Sequence, residues 1–202
     1  AVGYNAMSEL TEGDNNTGAG HKALHNLTTG SGNTAVGDNA LNSTATVDGN
    51  TGVGYYAGLY TTGANNTYLG YNAGKGASGA EALNVGVGKD ALLAITTGIG
   101  NTVVGGLAGD ALTTGLNNVF LGREAGSATT DVDLAVIAGY GAGGADMTAA
   151  ADGTVAIGGS ALGALTSGEG NIAIGYQAWG NGGSSNNIGG AENVFIGSES
   201  GG

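Results

Sequence analysis

Cysteine and proline are both absent from this 202-residue chain, and Lys and Arg together number only four. Without cysteine there is no disulfide framework, and nucleophilic triads have no base other than the two histidines. The formal net charge of −12 repels nucleic-acid backbones and anionic lipid head groups. No apolar run reaches the roughly 20 residues that cross a bilayer. These absences argue against a nucleic-acid partner, membrane insertion and a disulfide scaffold.

Glycine is abundant instead, with 45 residues, while hydrophobic residues make up 41% and charged residues 10%. Glycine-rich chains are often disordered, but this one has enough apolar side chains to bury a core. The composition therefore indicates a repetitive, folded protein.

A short phrase recurs along the chain, as in the segments 33–41 and 101–108. A glycine in this phrase serves as an anchor, and successive anchors lie 16 to 22 residues apart, most often 17. The twelve anchors are Gly3, Gly20, Gly37, Gly54, Gly70, Gly88, Gly105, Gly122, Ala138 as a substitute, Gly158, Gly175 and Gly197. Such a period is the signature of a solenoid, in which each unit buries its apolar face against its neighbours.

The residues before each anchor form a short strand pattern. The residue directly before the anchor is aliphatic in most units, as in Val36 and Val104, and the residue two positions earlier is usually Thr, Val or Ile. Period-2 alternation puts these two rows on one face, which we expect to be the core. The row between them, which includes Tyr68, Val103, Phe120 and Phe195, is then expected to face solvent or a second chain.

Two further rows restrict the geometry. An alanine follows three residues after most anchors, which suits a tight inner corner between coils about 4.8 Å apart. An asparagine opens most units, and stacked amides can satisfy one another's donors and acceptors. The sequence thus predicts an all-β parallel β-solenoid (β-roll) of about twelve coils of about 17 residues. Residues 1–202 form one repeat domain, with irregular coils or insertions at 127–153 and 179–192.

The phrases at 33–40, 118–126 and 171–178 resemble the head repeats of trimeric autotransporter adhesins. They are still more similar to repeats of phage tail fibres and of bacterial surface proteins that end in a self-cleaving trimerisation chaperone. The resemblance implies a left-handed β-roll in a homotrimer, acting as the shaft or receptor-binding adhesin of a longer extracellular fibre on a virion or a bacterial surface. Its implied partners are further copies of the chain and a host-cell surface glycan or protein.

No catalytic, cofactor or metal residues are predicted, and the chain is not expected to be an enzyme. The glycine-rich matches to a dinucleotide fingerprint arise from the repeat itself, and no helix follows them. His21 and His25 are four residues apart, which pairs metal ligands only on a helix.

Four tyrosines, Tyr4, Tyr55, Tyr71 and Tyr176, occupy the position just after the anchor, where an aromatic ring can stack on a sugar. They are candidate glycan contacts, and the alternative is ordinary surface variation.

Three functions remain open from the sequence. A fibre shaft or adhesin is favoured, and a homotrimer would cover the apolar row expected to face outward. An ice-binding solenoid would use the repeated Thr-Thr pairs, although these lie beside a glycine turn and are replaced at 47–48 and 149–150. A glycan-cleaving tail-spike enzyme would need clustered acids in a groove.

Overall fold

A computed structural model describes residues 1–76, 79–180 and 190–201. Within them the chain forms eleven strands of three residues each in a single sheet, and the strand order is the sequence order. The strands are β1 (Thr17–Ala19), β2 (Thr34–Val36), β3 (Thr51–Val53), β4 (Thr67–Leu69), β5 (Val85–Val87), β6 (Thr102–Val104), β7 (Val119–Leu121), β8 (Val136–Ala138), β9 (Val155–Ile157), β10 (Ile172–Ile174) and β11 (Val194–Ile196).

All neighbouring strands are parallel and in register, so residues one unit apart are partners, such as Val87 with Val104. An isolated bridge between Val2 and Ala19 extends the ladder at its N-terminal end. One short 3-10 turn, Ala149–Ala151, is the only helical element in the described part, and no helix there could span a membrane. The predicted all-β parallel solenoid is confirmed, with eleven strands rather than twelve strand-bearing coils.

The predicted facing of the strands is wrong. The middle residue of each strand points into the interior, whereas the outer two face outward: Val103 is 0% exposed, but Val104 is 38% exposed. Tyr68 and Phe120, expected at the surface, are among the largest buried side chains, and Phe195 is partly buried against the core. Both rows carry apolar residues, so alternation separated them correctly without showing which is inside.

The anchor glycines are required by their backbone conformation and by close stacking. Gly37 has φ +136°, and a Cβ on it would lie 2.4 Å from the carbonyl oxygen of Gly54 in the next coil. Only glycine combines this dihedral angle with such an approach.

One anchor was misassigned. The glycine with the anchor conformation in the ninth coil is Gly139, with φ +137°, rather than Ala138. Ile137 is therefore the buried middle residue of β8, and Ala138 is its outer residue. The extra residues follow Gly139 and contain the 3-10 turn, within the predicted irregular coil 127–153. Most of the predicted insertion at 179–192 lies outside the described residues.

The interior beside the strands is lined by small and large residues in fixed positions. The alanines three residues after the anchors are buried, from Ala23 to Ala178, which fits the tight corner expected there. The apolar residues of the second half of each unit, such as Leu27, Ile95 and Leu112, are also buried.

The asparagine ladder forms as expected. The Asn101 side-chain oxygen accepts the backbone N–H of Asn118 at 3.0 Å, and its amide group donates to the Gly115 carbonyl at 2.8 Å. The ladder runs from Asn16 to Asn118, whose side-chain oxygen accepts the N–H of Ala135, and it resumes where the Asn171 side-chain oxygen accepts the N–H of Asn193. Because these groups are buried, the ladder satisfies backbone atoms that water cannot reach.

Candidate functional site: two exposed rows

The first surface is the strand face, defined as the first and third residues of β1 to β11. It carries no charged side chain, although the chain has 20 charged residues. Leu69 is 47% exposed, Leu121 42% and Ile174 36%, although each is flanked by stacked neighbours in the adjacent coils. A monomer therefore leaves a continuous uncharged stripe in water, about 50 Å long at roughly 4.8 Å per strand.

The strand face changes along its length. In its first position β1 to β4 and β6 carry Thr, whereas β7 to β11 carry Val or Ile. The third position is aliphatic or Ala throughout. The C-terminal half is thus wholly apolar, and the N-terminal half adds a row of hydroxyl groups.

The second surface is the post-glycine column, defined as the residues directly after the anchors. These residues are Tyr4, His21, Asp38, Tyr55, Tyr71, Lys89, Gly106, Arg123, Tyr140, Gly159, Tyr176 and Ser198. Because successive coils stack, side chains of this column lie above one another on the outside of the solenoid. It contains all four tyrosines predicted as glycan contacts.

The structure brings together Tyr55 and Tyr71, whose rings stack with centroids 5.3 Å apart and an interplanar angle of 10°. Tyr56 packs on Tyr55 at 4.0 Å, and Lys75 lies over the Tyr56 ring at 5.5 Å. A side-chain hydrogen bond with Tyr56 is the main cause that raises the pKa of Tyr55 to about 12. The faces of Tyr55 are therefore engaged by other aromatic rings.

Tyr4 is separate from that cluster and stacks on His21, with centroids 5.7 Å apart. His21 in turn contacts the Asp38 carboxylate at 3.1 Å, while His25 contacts the Ser8 hydroxyl at 2.6 Å. The two histidines thus have different partners. No group of three or more His, Cys, Asp or Glu residues that could hold a metal occurs within residues 1–76, 79–180 and 190–201.

Tyr140 belongs to the same column and was missed in the sequence, because the anchor was placed at Ala138 instead of Gly139. The regular spacing of 17 residues from Gly122 to Gly139 is the signal that would have found it. The Arg123 guanidinium lies over the Tyr140 ring at 5.1 Å and forms an ion pair with Glu124 at 2.7 Å. Tyr176, two coils further on, has Gly159 between itself and Tyr140.

Inside the solenoid, the carboxyl group of Glu81 is buried without full compensation. Glu81 is 2% exposed, and its Oε2 atom has no hydrogen-bond partner, nor do the hydroxyls of Thr61 and Tyr68. Burial raises the pKa of Glu81 to about 7. The Tyr68 pKa is also raised, mainly by burial and then by the nearby Glu81. The group is enclosed by the coils and has no access for a macromolecular substrate.

No protein-family model, curated protein or solved structure matches this chain. The proposed function therefore rests on the fold and on its two exposed surfaces, the strand face and the post-glycine column.

Proposed function

We propose that this chain is a segment of an extracellular fibre, the shaft or receptor-binding adhesin of a phage tail or bacterial surface, built from three copies side by side. The strand face is the surface through which the copies join. The host-cell partner is a surface glycan or protein, and the chain has no catalytic role.

The observation that carries this proposal is the uncharged, aliphatic strand face. Contiguous exposed apolar surface on a soluble protein marks an interaction site. This face is long, regular and in register, so its natural complement is another surface with the same repeat. A second copy of the chain has that repeat.

Charge supports the same partner. Two chains of net charge −12 repel each other wherever their carboxylates approach. On the strand face no carboxylate is present, so copies can meet there without bringing like charges together. The rest of the surface, where the acids lie, then remains in water.

We propose three copies because the repeats resemble those of trimeric fibre proteins. Closed symmetry then ends association at a defined size. The apolar row first expected to form the trimer contact, with Tyr68, Val103 and Phe120, is the core. The strand face replaces it. Its two parallel rows allow each chain to touch one neighbour on either side of a threefold axis.

Light scattering on the purified chain tests the proposal, with an expected mass near three times the 19.2 kDa of one chain. The double variant Leu121→Glu with Ile174→Glu should fall to the single-chain mass and keep its β-sheet circular dichroism. Tyr60→Glu with Leu134→Glu is the matched control, because it also places two acids at exposed apolar residues, which lie outside the strands. A single-chain mass for the unmodified protein, or equal dissociation in both variants, contradicts the assignment.

Ice binding is a second candidate, favoured by one observation. Thr17, Thr34, Thr51 and Thr67 form an in-register row on the exposed strand face, unlike the Thr-Thr pairs considered from the sequence. The row is replaced by Val85 and, from β7 onward, by Val and Ile. Thermal hysteresis in dilute solution that is lost on Thr34→Leu with Thr51→Leu would favour this function over the fibre.

A further inference from the structure

The post-glycine column contains aromatic rings in two different situations. In the first, Tyr55 and Tyr71 stack on each other in adjacent coils. In the second, Tyr140 and Tyr176 are two coils apart, with Gly159 between them. The second pair is also more exposed, at 56% and 57% against 41% for Tyr55.

Gly159 keeps the space between the two rings free of a side chain. Two ring carbons of Tyr176 would lie 3.5 and 3.8 Å from a Cβ on Gly159, and the Tyr140 carbonyl oxygen would lie 3.8 Å from it. Unlike the anchors, Gly159 does not have a positive φ, so its backbone does not require glycine. Because Gly159 has no side chain, the post-glycine column has a gap in the coil between Tyr140 and Tyr176.

The dimensions suit one sugar ring. Two coils span about 9.6 Å, from a strand spacing of about 4.8 Å. A saturated ring held between two aromatic faces needs a van der Waals contact of about 3.5–4.0 Å on each side. The gap that Gly159 leaves is therefore close to what a single pyranose fills.

The surrounding groups indicate a sugar rather than a purely apolar ligand. Both tyrosines have a hydroxyl group that can hydrogen-bond while the ring contacts carbon atoms. Arg123, in the coil before Tyr140, lies over the Tyr140 ring and pairs with Glu124, and its side chain is 65% exposed. The net charge of −12 disfavours an anionic polysaccharide, so the ligand class is a neutral glycan.

We propose that Tyr140, Gly159 and Tyr176 form a binding slot for a neutral hexopyranose of a cell-surface glycan. The slot gives the proposed fibre a receptor contact, and in that respect it rests on the proposed function. It narrows the four tyrosines predicted from the sequence to Tyr176 and adds Tyr140. Tyr55 and Tyr71 are excluded because they stack directly on each other and leave no gap between their rings. Tyr4 is excluded because it stacks on His21 of the next coil.

Isothermal titration calorimetry of the whole chain with cellohexaose, maltohexaose and mannohexaose tests the slot, with an alginate hexamer as the anionic probe. At least one neutral probe should bind, and Tyr140→Ala or Tyr176→Ala should each weaken that binding at least tenfold. Gly159→Tyr should abolish it while adding an aromatic ring, because the new side chain fills the slot. Tyr55→Ala with Tyr71→Ala is the matched control and should bind as the unmodified chain does.

Binding of none of the neutral probes, binding of the alginate alone, or an equal loss in the Tyr55 and Tyr71 control would overturn the slot. Circular dichroism and light scattering on the same samples report folding and assembly. If a variant loses binding but keeps its assembled mass, the result tests the slot alone. If the unmodified protein has a single-chain mass, the result contradicts assembly through the strand face.

Discussion

The coil with Gly86 and Leu92 and the coil with Phe120 and Gly126 fill the same interior space in opposite ways. In the first, the strand centre is glycine, and a buried leucine four residues after the anchor supplies the bulk. In the second, the strand centre is a buried phenylalanine, and a Cβ on Gly126 would lie 2.6 Å from its ring. Leu92 and Gly126 have similar backbones, with φ 53° and 59°. The difference is therefore one of side-chain volume and not of backbone.

This exchange holds for most of the chain. A small strand centre accompanies Leu24, Leu41, Leu92, Leu162 or Trp179, and a larger one accompanies Gly74, Gly109, Gly126, Gly143 or Gly201. One coil has glycine at both positions, Gly52 and Gly58, and there Leu41 and Tyr68 enter from neighbouring coils. The space between the strand centre and the position four residues after the anchor has room for about one large side chain per coil, because interiors are close-packed.

The largest effect is expected from a charge placed in this space. Phe120→Asp buries an unpaired carboxylate, which costs several kcal/mol, so the sheet signal in circular dichroism should be lost near room temperature. Leu121→Asp, one residue away on the exposed face, should keep that signal. Equal damage from both changes would contradict the assigned facing of the strands.

Exchanging the two kinds of coil is the sharpest test of the comparison. Phe120→Gly alone leaves a cavity and should cost about 3–5 kcal/mol, and Gly126→Leu alone overpacks the coil by about 1–3 kcal/mol. The double variant turns this coil into the leucine kind and should recover most of the loss in urea unfolding. Losses that simply add would show that the two positions do not share one space.

The asparagine ladder is common to both kinds of coil, and breaking it should have a smaller effect. Asn101→Ala leaves the backbone N–H of Asn118 and the carbonyl of Gly115 without their partner, at about 1–3 kcal/mol. Asn26→Ala removes an exposed amide and should change the free energy of unfolding by less than about 0.5 kcal/mol. If both variants have the same urea midpoint, the ladder does not contribute to the stability of the fold.

A pH-dependent effect is expected at the coil boundary where Glu81 is buried near Tyr68. Its pKa is raised from 4.5 to about 7, so the folded chain holds a proton that the unfolded chain releases. Stability from this group is present below pH 4.5 and is lost as the pH rises to about 7. Glu81→Gln should flatten this part of the unfolding profile, measured as the difference between variant and unmodified chain. An unchanged profile would assign the pH dependence to other groups.

The sequence by itself determined the repeat, the all-β solenoid class, the in-register pairing, the alanine corner and the asparagine ladder. Each of these follows from a residue type that recurs at one position, because stacking places equal positions in contact. The anchor glycines are also predicted by the sequence, except in the ninth coil, where the predicted anchor is Ala138 and the actual one is Gly139. That one-residue shift hides Tyr140.

The tertiary structure alone decided which row of each strand is inside. Alternation shows that Val103 and Val104 point in opposite directions, but both are apolar, so hydrophobicity does not choose between them. The choice is made by volume: Val103 and Phe120 share a closed interior with glycines from the other side of the coil, and that pairing exists only once the coil has closed. For the same reason the pairing of Tyr55 with Tyr71, and the gap at Gly159, became visible only in the stacked coils.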